Sequence, residues 1–131
     1  MTATSAAAAF PRSARLLRHA DFERVYKLGR RHFSVSMTVF YLQRQNSSKA
    51  SAGSSGFRVG FTVGKALGGA VDRNRIKRRL REAARLCRPT SGPDVDVVVN
   101  PKKVLLKTDF AVITEELHRA FVVIEQKCRG V

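Results

Sequence analysis

The chain has 131 residues, 25 Lys and Arg against 10 Asp and Glu, a formal net charge of +15 and a pI near 11.2. That length is one domain's worth, and 44% hydrophobic residues suffice for a buried core. The charge repels itself in a compact fold and points to a polyanionic partner, nucleic acid first; the absence of any apolar run near the roughly 20 residues that span a bilayer excludes a membrane-spanning helix.

Two cysteines cannot make a disulfide scaffold. Cys87 and Cys128 have no CxxC and no His at metal-ligand spacing, so they read as free thiols in a cytoplasmic protein. Met1 to His19 is rich in Ala, Ser and Thr, carries Arg12, Arg15 and Arg18, and has no acid. The composition is like that of a transit peptide. The plainer expectation is a disordered tail over residues 1–15, followed by a single domain over 16–127.

In chain order, Asp21 is placed to cap a short helix with Phe22, Val25 and Tyr26 on one face. Gly29 is a plausible stop through the left-handed conformation. Val35 to Leu42 reads as a strand, with Val35, Met37, Val39 and Tyr41 on one side and Ser36, Thr38, Phe40 and Leu42 on the other. Residues 44–56, rich in Ser, Ala and Gly, read as a flexible loop joining two neighbouring antiparallel strands. The second of these is Phe57 to Val63, with Phe57, Val59, Phe61 and Val63 alternating against Arg58, Gly60 and Thr62.

Val71 to Cys87 is the strongest helix, with Ile76, Leu80, Ala83, Ala84 and Cys87 on its apolar stripe; Pro89, Gly92 and Pro93 end it. Val95 to Val99 is a buried strand. Thr108 or Asp109 caps a last helix with Phe110, Ile113, Leu117, Phe121 and Ile124 facing inward. The order helix, strand, strand, helix, strand, helix predicts an α/β (α+β) sandwich: a small mixed, mainly antiparallel central sheet with packed helices.

The basic helix is the most informative stretch. Residues 65–88 hold nine basic residues, with Asp72 and Glu82 as the only acids. Lys77, Arg81, Arg85, Arg78 and Asn74 lie opposite or beside the apolar stripe, so one side buries and the other presents cations. A merely solvated face mixes signs at i,i+4 spacing, and here only Glu82 can pair. Arg outnumbers Lys, and its planar fork suits phosphate. The exposed face has almost no amide or hydroxyl side chains to read bases, and the helix sits between strands rather than behind a second helix. Both points favour backbone and shape recognition, as for structured RNA, over a helix-turn-helix DNA reader. Phe22 and Tyr26 on one helix face, with Phe40 on the strand, are either ordinary core or a stacking platform for a single strand.

These residues resemble the family of bacterial ribonuclease P protein subunits, over about Leu16 to Phe121. The likeness rests on Asp21-Phe22, Val25-Tyr26-Lys27 and Gly29; on Arg58-Val59-Gly60-Phe61 and Val63 before Lys65; on Gly69-Ala70-Val71, Arg73-Asn74-Arg75-Ile76-Lys77-Arg78 and Leu80-Arg81-Glu82; and on Gly92-Pro93-Asp94-Val95. The resemblance implies a ribosomal protein S5 domain 2-like fold with a left-handed strand-helix-strand crossover, against the usual right-handed preference. It implies a ribonucleoprotein whose RNA subunit, with divalent metal such as magnesium bound largely by that RNA, removes the 5′ leader from precursor tRNA. Lys65, Arg73, Asn74, Arg75, Lys77, Arg78 and Arg81 match positions that bind the catalytic RNA. Phe22, Tyr26 and Phe40, with Arg58, match a cleft for the single-stranded leader. The chain departs from the family pattern at Ala66, where a second lysine is frequent, at Asp72 before the motif, and near Asn100, where a basic residue is common.

Nothing in the sequence supplies chemistry of its own. His19, His32 and His118 are scattered and read as surface residues. Asp94 and Asp96 share a strand side but make a poor metal site, and no nucleotide-binding loop is present. The expectation is therefore an RNA-binding subunit with no catalytic residues and no metal of its own. The competing readings are a general RNA-binding or ribosomal protein and a DNA regulator.

Overall fold

The computed structural model describes residue 15 and residues 18–44, 56–89 and 93–129. Its centre is β4 (Val95–Pro101), in which five consecutive residues, Val95 to Val99, are buried. A run buried on both faces belongs in the middle of a sheet with helices on either side. β2 (Met37–Gln43) lies antiparallel on one flank of β4, from Met37 opposite Pro101 to Gln43 opposite Val95. β3 (Phe57–Phe61) lies parallel on the other flank, Phe57 opposite Val95 and Phe61 opposite Val99. β1 (Arg30–Phe33) pairs antiparallel with β2 at the edge, giving the order β1-β2-β4-β3.

Helix α1 (His19–Leu28) covers one face of the sheet, where Val25 and Val98 are buried among Phe22, Phe40 and Leu42. Helices α2 (Ala70–Cys87) and α3 (Phe110–Arg129) share the other face. There the predicted stripes meet the strand residues Met37, Val39, Tyr41, Phe57, Val59, Val95, Val97 and Val99 in one apolar cluster. Phe57 meets Phe121 edge-on at 5.4 Å between ring centroids. Short 3-10 turns over Lys65–Leu67 and Lys103–Lys107 lead into α2 and α3.

Several expectations are corrected. β2 and β3 are not neighbours: β4 lies between them, because the most apolar run takes the central position. β1 was not foreseen; Arg30, Arg31 and His32 give it no hydrophobic alternation, which suits an edge strand protected by charge. Val35 does not face inward; it is 77% exposed in the turn before β2. Asp21 is not a cap: the cap position is Arg18, with no side-chain cap, and Asp21 is a buried residue of the first turn. Gly29 does end α1, but with φ −85° rather than left-handed. Its reason is a close approach, since a Cβ there would lie 2.5 Å from the carbonyl oxygens of Tyr41 and Val25. Gly68 is the glycine before α2 whose positive φ, 134°, a side chain would strain. Of the expected tail over 1–15 only Arg15 is described, in an isolated parallel bridge with Val59, and nearly all of the expected loop falls outside the described residues.

Candidate nucleic-acid interface

The α1 face of the sheet is built differently from the other. The even-numbered residues of β4 point to it, and they include Asp96 and Asn100 as well as Val98. Asp96, 1% exposed, accepts Arg44 Nη1 at 2.6 Å and, through both oxygens, Arg58 Nε at 2.8 Å and Nη2 at 2.9 Å. Arg58 also stands 3.8 Å from Asp21, which pairs with Arg24 one turn along α1. Burial works against the Arg58 charge, but the hydrogen bond and charge of Asp96, with Asp21, outweigh it and raise the pKa above the ordinary arginine value. This chain of alternating charges fastens the start of α1 to β3 and β4.

Arg44 also ties together the two ends of the segment between β2 and β3. Arg44 Nη2 donates to Gly56 O at 2.9 Å, Gly56 N donates to Asp94 Oδ1 at 2.7 Å, and Arg44 N donates to Asp94 O at 2.9 Å. Asp94 and Asp96 do lie toward one side, as expected, and arginines occupy the space a cation would take.

At the other end of α1 the surface is aromatic. The Tyr26 hydroxyl lies 2.7 Å from Thr62 Oγ1 and donates to Asn100 Oδ1 at 2.8 Å. Its ring meets Phe40 edge-on at 4.9 Å, and the Arg31 guanidinium sits 5.5 Å from the Phe40 centroid. Tyr26 is 37% exposed, while Phe22 and Phe40 are half-buried. The aromatics are therefore anchored in the packing and open to solvent on one side.

On α2, Asn74, Arg75, Lys77, Arg78 and Arg81 are exposed, as is Lys65 in the preceding turn. None of these six side chains has a hydrogen-bond or ion-pair partner among the described residues. Arg73 is half-buried, and its Nε has no partner. The remaining cations are engaged. Arg79 Nη1 donates to Thr108 O at 2.9 Å, and Arg85 pairs with Glu82, holding that carboxyl below its usual range. Asp72 lies in the first turn of α2, where an acid suits the helix dipole.

The family model for ribonuclease P matches residues 10–125. The chain belongs to the ribonuclease P protein family. It is 39% identical over 92 residues to the ribonuclease P protein component of Oleidesulfovibrio alaskensis, covering 70% of this chain and 69% of that one. It is 35% identical to that of an Exiguobacterium species over 107 residues, covering 82% and 86%. Among solved structures, a mutant ribonuclease P protein of Staphylococcus aureus with defective mRNA degradation activity superposes with TM-score 0.71 at 26% identity, covering 86% and 88%. The ribonuclease P protein of Thermotoga maritima gives 0.67 at 27%, covering 82% and 94%.

As a ribonuclease P protein, this chain is the protein subunit of a ribonucleoprotein that acts in tRNA 5′ processing with RNA-based catalysis, and its partner is the ribonuclease P RNA. Among the described residues no three His, Cys, Asp or Glu stand close enough to hold a metal ion, and no helix is long and apolar enough to cross a membrane. The structure brings the sequence-predicted residues into two groups. Phe22, Tyr26 and Phe40 lie between α1 and the sheet, Arg58 is tied to the start of α1 through Asp96 and Asp21, and the basic motif lies along α2. Sequence reasoning missed Arg44, Thr62 and the role of Asp96. A lone acid inside a valine run was the available signal for Asp96, since a buried carboxylate must find a cation.

Proposed function

We propose that the cleft lined by Phe22, Tyr26, Phe40 and Arg58 holds the single-stranded 5′ leader of precursor tRNA, while Lys65, Arg73, Asn74, Arg75, Lys77, Arg78 and Arg81 hold the catalytic RNA. What carries the reading is the open Tyr26–Phe40 pair with Arg31 against it, an aromatic surface beside a cation that suits stacked bases. Arg58 has two of its nitrogens committed to Asp96, so its part in the cleft is to offer the remaining Nη1 to phosphate. The unpaired cations of α2 supply the sequence-independent attraction a folded RNA needs. Divalent metal, magnesium in this reading, belongs with the RNA subunit. A cytoplasmic location completes the proposal and agrees with two free thiols.

The test is leader cleavage by the catalytic RNA at low magnesium, with and without the protein. The wild type should stimulate it. Phe22→Ala should weaken leader affinity by about 1–3 kcal/mol. Arg78→Ala should leave leader preference intact and flatten the salt dependence of binding to the catalytic RNA by about 0.9 in slope per lost phosphate contact. Absence of stimulation, or a Phe22→Ala protein that is less stable but binds the leader as well as before, removes the reading.

A further inference from the structure

The edge strand carries an aromatic side chain that the leader cleft does not use. In the β1–β2 register Arg31 lies opposite Phe40 and Phe33 opposite Thr38, whereas Arg30 and His32 lie opposite Tyr41 and Val39. Alternation along a strand then puts Arg31 and Phe33 on the α1 face and Arg30 and His32 on the other. Arg31 already sits against Phe40. Phe33 follows on the same face of the same strand, about 6.6 Å further along, and it is 66% exposed.

Phe33 is also held on a rigid support. Ser34 N donates to Met37 O at 2.9 Å. In the same turn Ser36 donates to Glu116 of α3 from its nitrogen at 3.1 Å and from its hydroxyl at 2.7 Å. Lys102, after β4, donates from its backbone to Ser36 O at 2.9 Å and from Nζ to Ser34 O at 3.1 Å. That last contact brings an ammonium next to the residue that follows Phe33. Along the chain Phe33 thus stands between Arg31, two residues before it, and Ser34, whose carbonyl holds the Lys102 ammonium. An exposed ring on a fixed strand between two cations matches one nucleotide: a base face on the ring and a phosphate on either side.

We propose that Phe33, flanked by Arg31 and Lys102, is a further stacking station for single-stranded RNA, which carries the leader past Phe40 to the edge of the sheet. The inference rests on the leader-cleft reading and adds one nucleotide's length to it. The cation placement selects RNA over an apolar peptide, since a peptide would leave both charges idle beside the ring.

The holoenzyme, with its catalytic RNA, tests this by its affinity for precursor tRNAs whose leaders grow one nucleotide at a time. Phe33→Ala should bind short leaders as the wild type does and lose about fivefold or more once the leader is long enough to reach β1. Phe33→Trp should keep the wild-type affinity at every length. Phe40→Ala, checked by thermal melting for a folded state, should weaken short and long leaders alike. If Phe40→Ala weakens binding while Phe33→Ala is flat at every length, or loses the same amount at every length, the added station is wrong and the cleft reading stands. If folded Phe40→Ala changes nothing at any length, the cleft reading fails.

Discussion

The two faces of β4 come from one run of seven residues and do different work. Val95, Val97 and Val99 enter the large apolar cluster with α2 and α3. Asp96, Val98 and Asn100 face α1, where one valine lies between a carboxylate that gathers two arginines and an amide that holds a tyrosine. The first face is fully buried and closed by two long helices. The second is covered by a single ten-residue helix and stays partly open. Stability concentrated on one side frees the other to carry polar groups and half-exposed rings, as the proposed leader cleft requires.

The largest effects should come from the closed face. Phe121→Ala removes a buried ring packed against Phe57 and should cost about 3–5 kcal/mol in urea unfolding, while leader affinity per folded molecule is kept. A loss under about 1 kcal/mol would mean that this face is not where stability is concentrated. Next comes the ionic chain of the open face. Asp96→Ala leaves Arg44, with a side chain 8% exposed, and Arg58 without their shared counter-ion, and should cost about 3 kcal/mol. It should also weaken leader binding, because Arg58 loses its orientation. Unchanged binding by the folded fraction would confine Asp96 to folding.

A smaller effect sharpens the division. Tyr26→Phe deletes the hydroxyl that reaches Thr62 and Asn100 but keeps the ring, so it should cost about 0.5–1 kcal/mol of stability and change leader affinity less than twofold. A large loss of affinity would show that the hydroxyl, not the ring face, meets the RNA. The smallest effect lies at β1. Burial, then Arg119, then Lys127 lower the His32 pKa from 6.5. On acidification the unfolded chain takes up this proton before the folded one does, so the His32 contribution is complete above about pH 6.5 and declines as pH falls below it. His32→Gln should remove that part of the slope in melting temperature between about pH 7 and 5. An identical slope would assign it to other groups.

Elements with strong periodicity were legible in the sequence. The stripe Ile76, Leu80, Ala83 and Ala84 is the buried face of α2, and Ile113, Leu117, Phe121 and Ile124 are that of α3. The basic motif was legible because an unbalanced run of cations has few structural explanations. Strand order was not, since alternation tells which side a residue faces but not which strand lies beside it. β1 was hidden by its charge, and Asp96 by the distance to its partners, Arg58 38 residues before it and Arg44 52. Phe22, Tyr26 and Phe40 were ambiguous for a physical reason: each is packed on one side and open on the other.

The clasp of Arg44, Gly56 and Asp94 has a practical corollary. It ties residue 44 to residue 56 at the sheet, so the spacing of the two ends does not depend on what lies between them. Doubling the length of chain inserted between two fixed ends costs only about 0.6 kcal/mol. A fluorophore-bearing peptide or an affinity tag inserted within 45–55 would therefore be held to the sheet by residues 44 and 56 and leave both proposed RNA-binding surfaces with their native sequence.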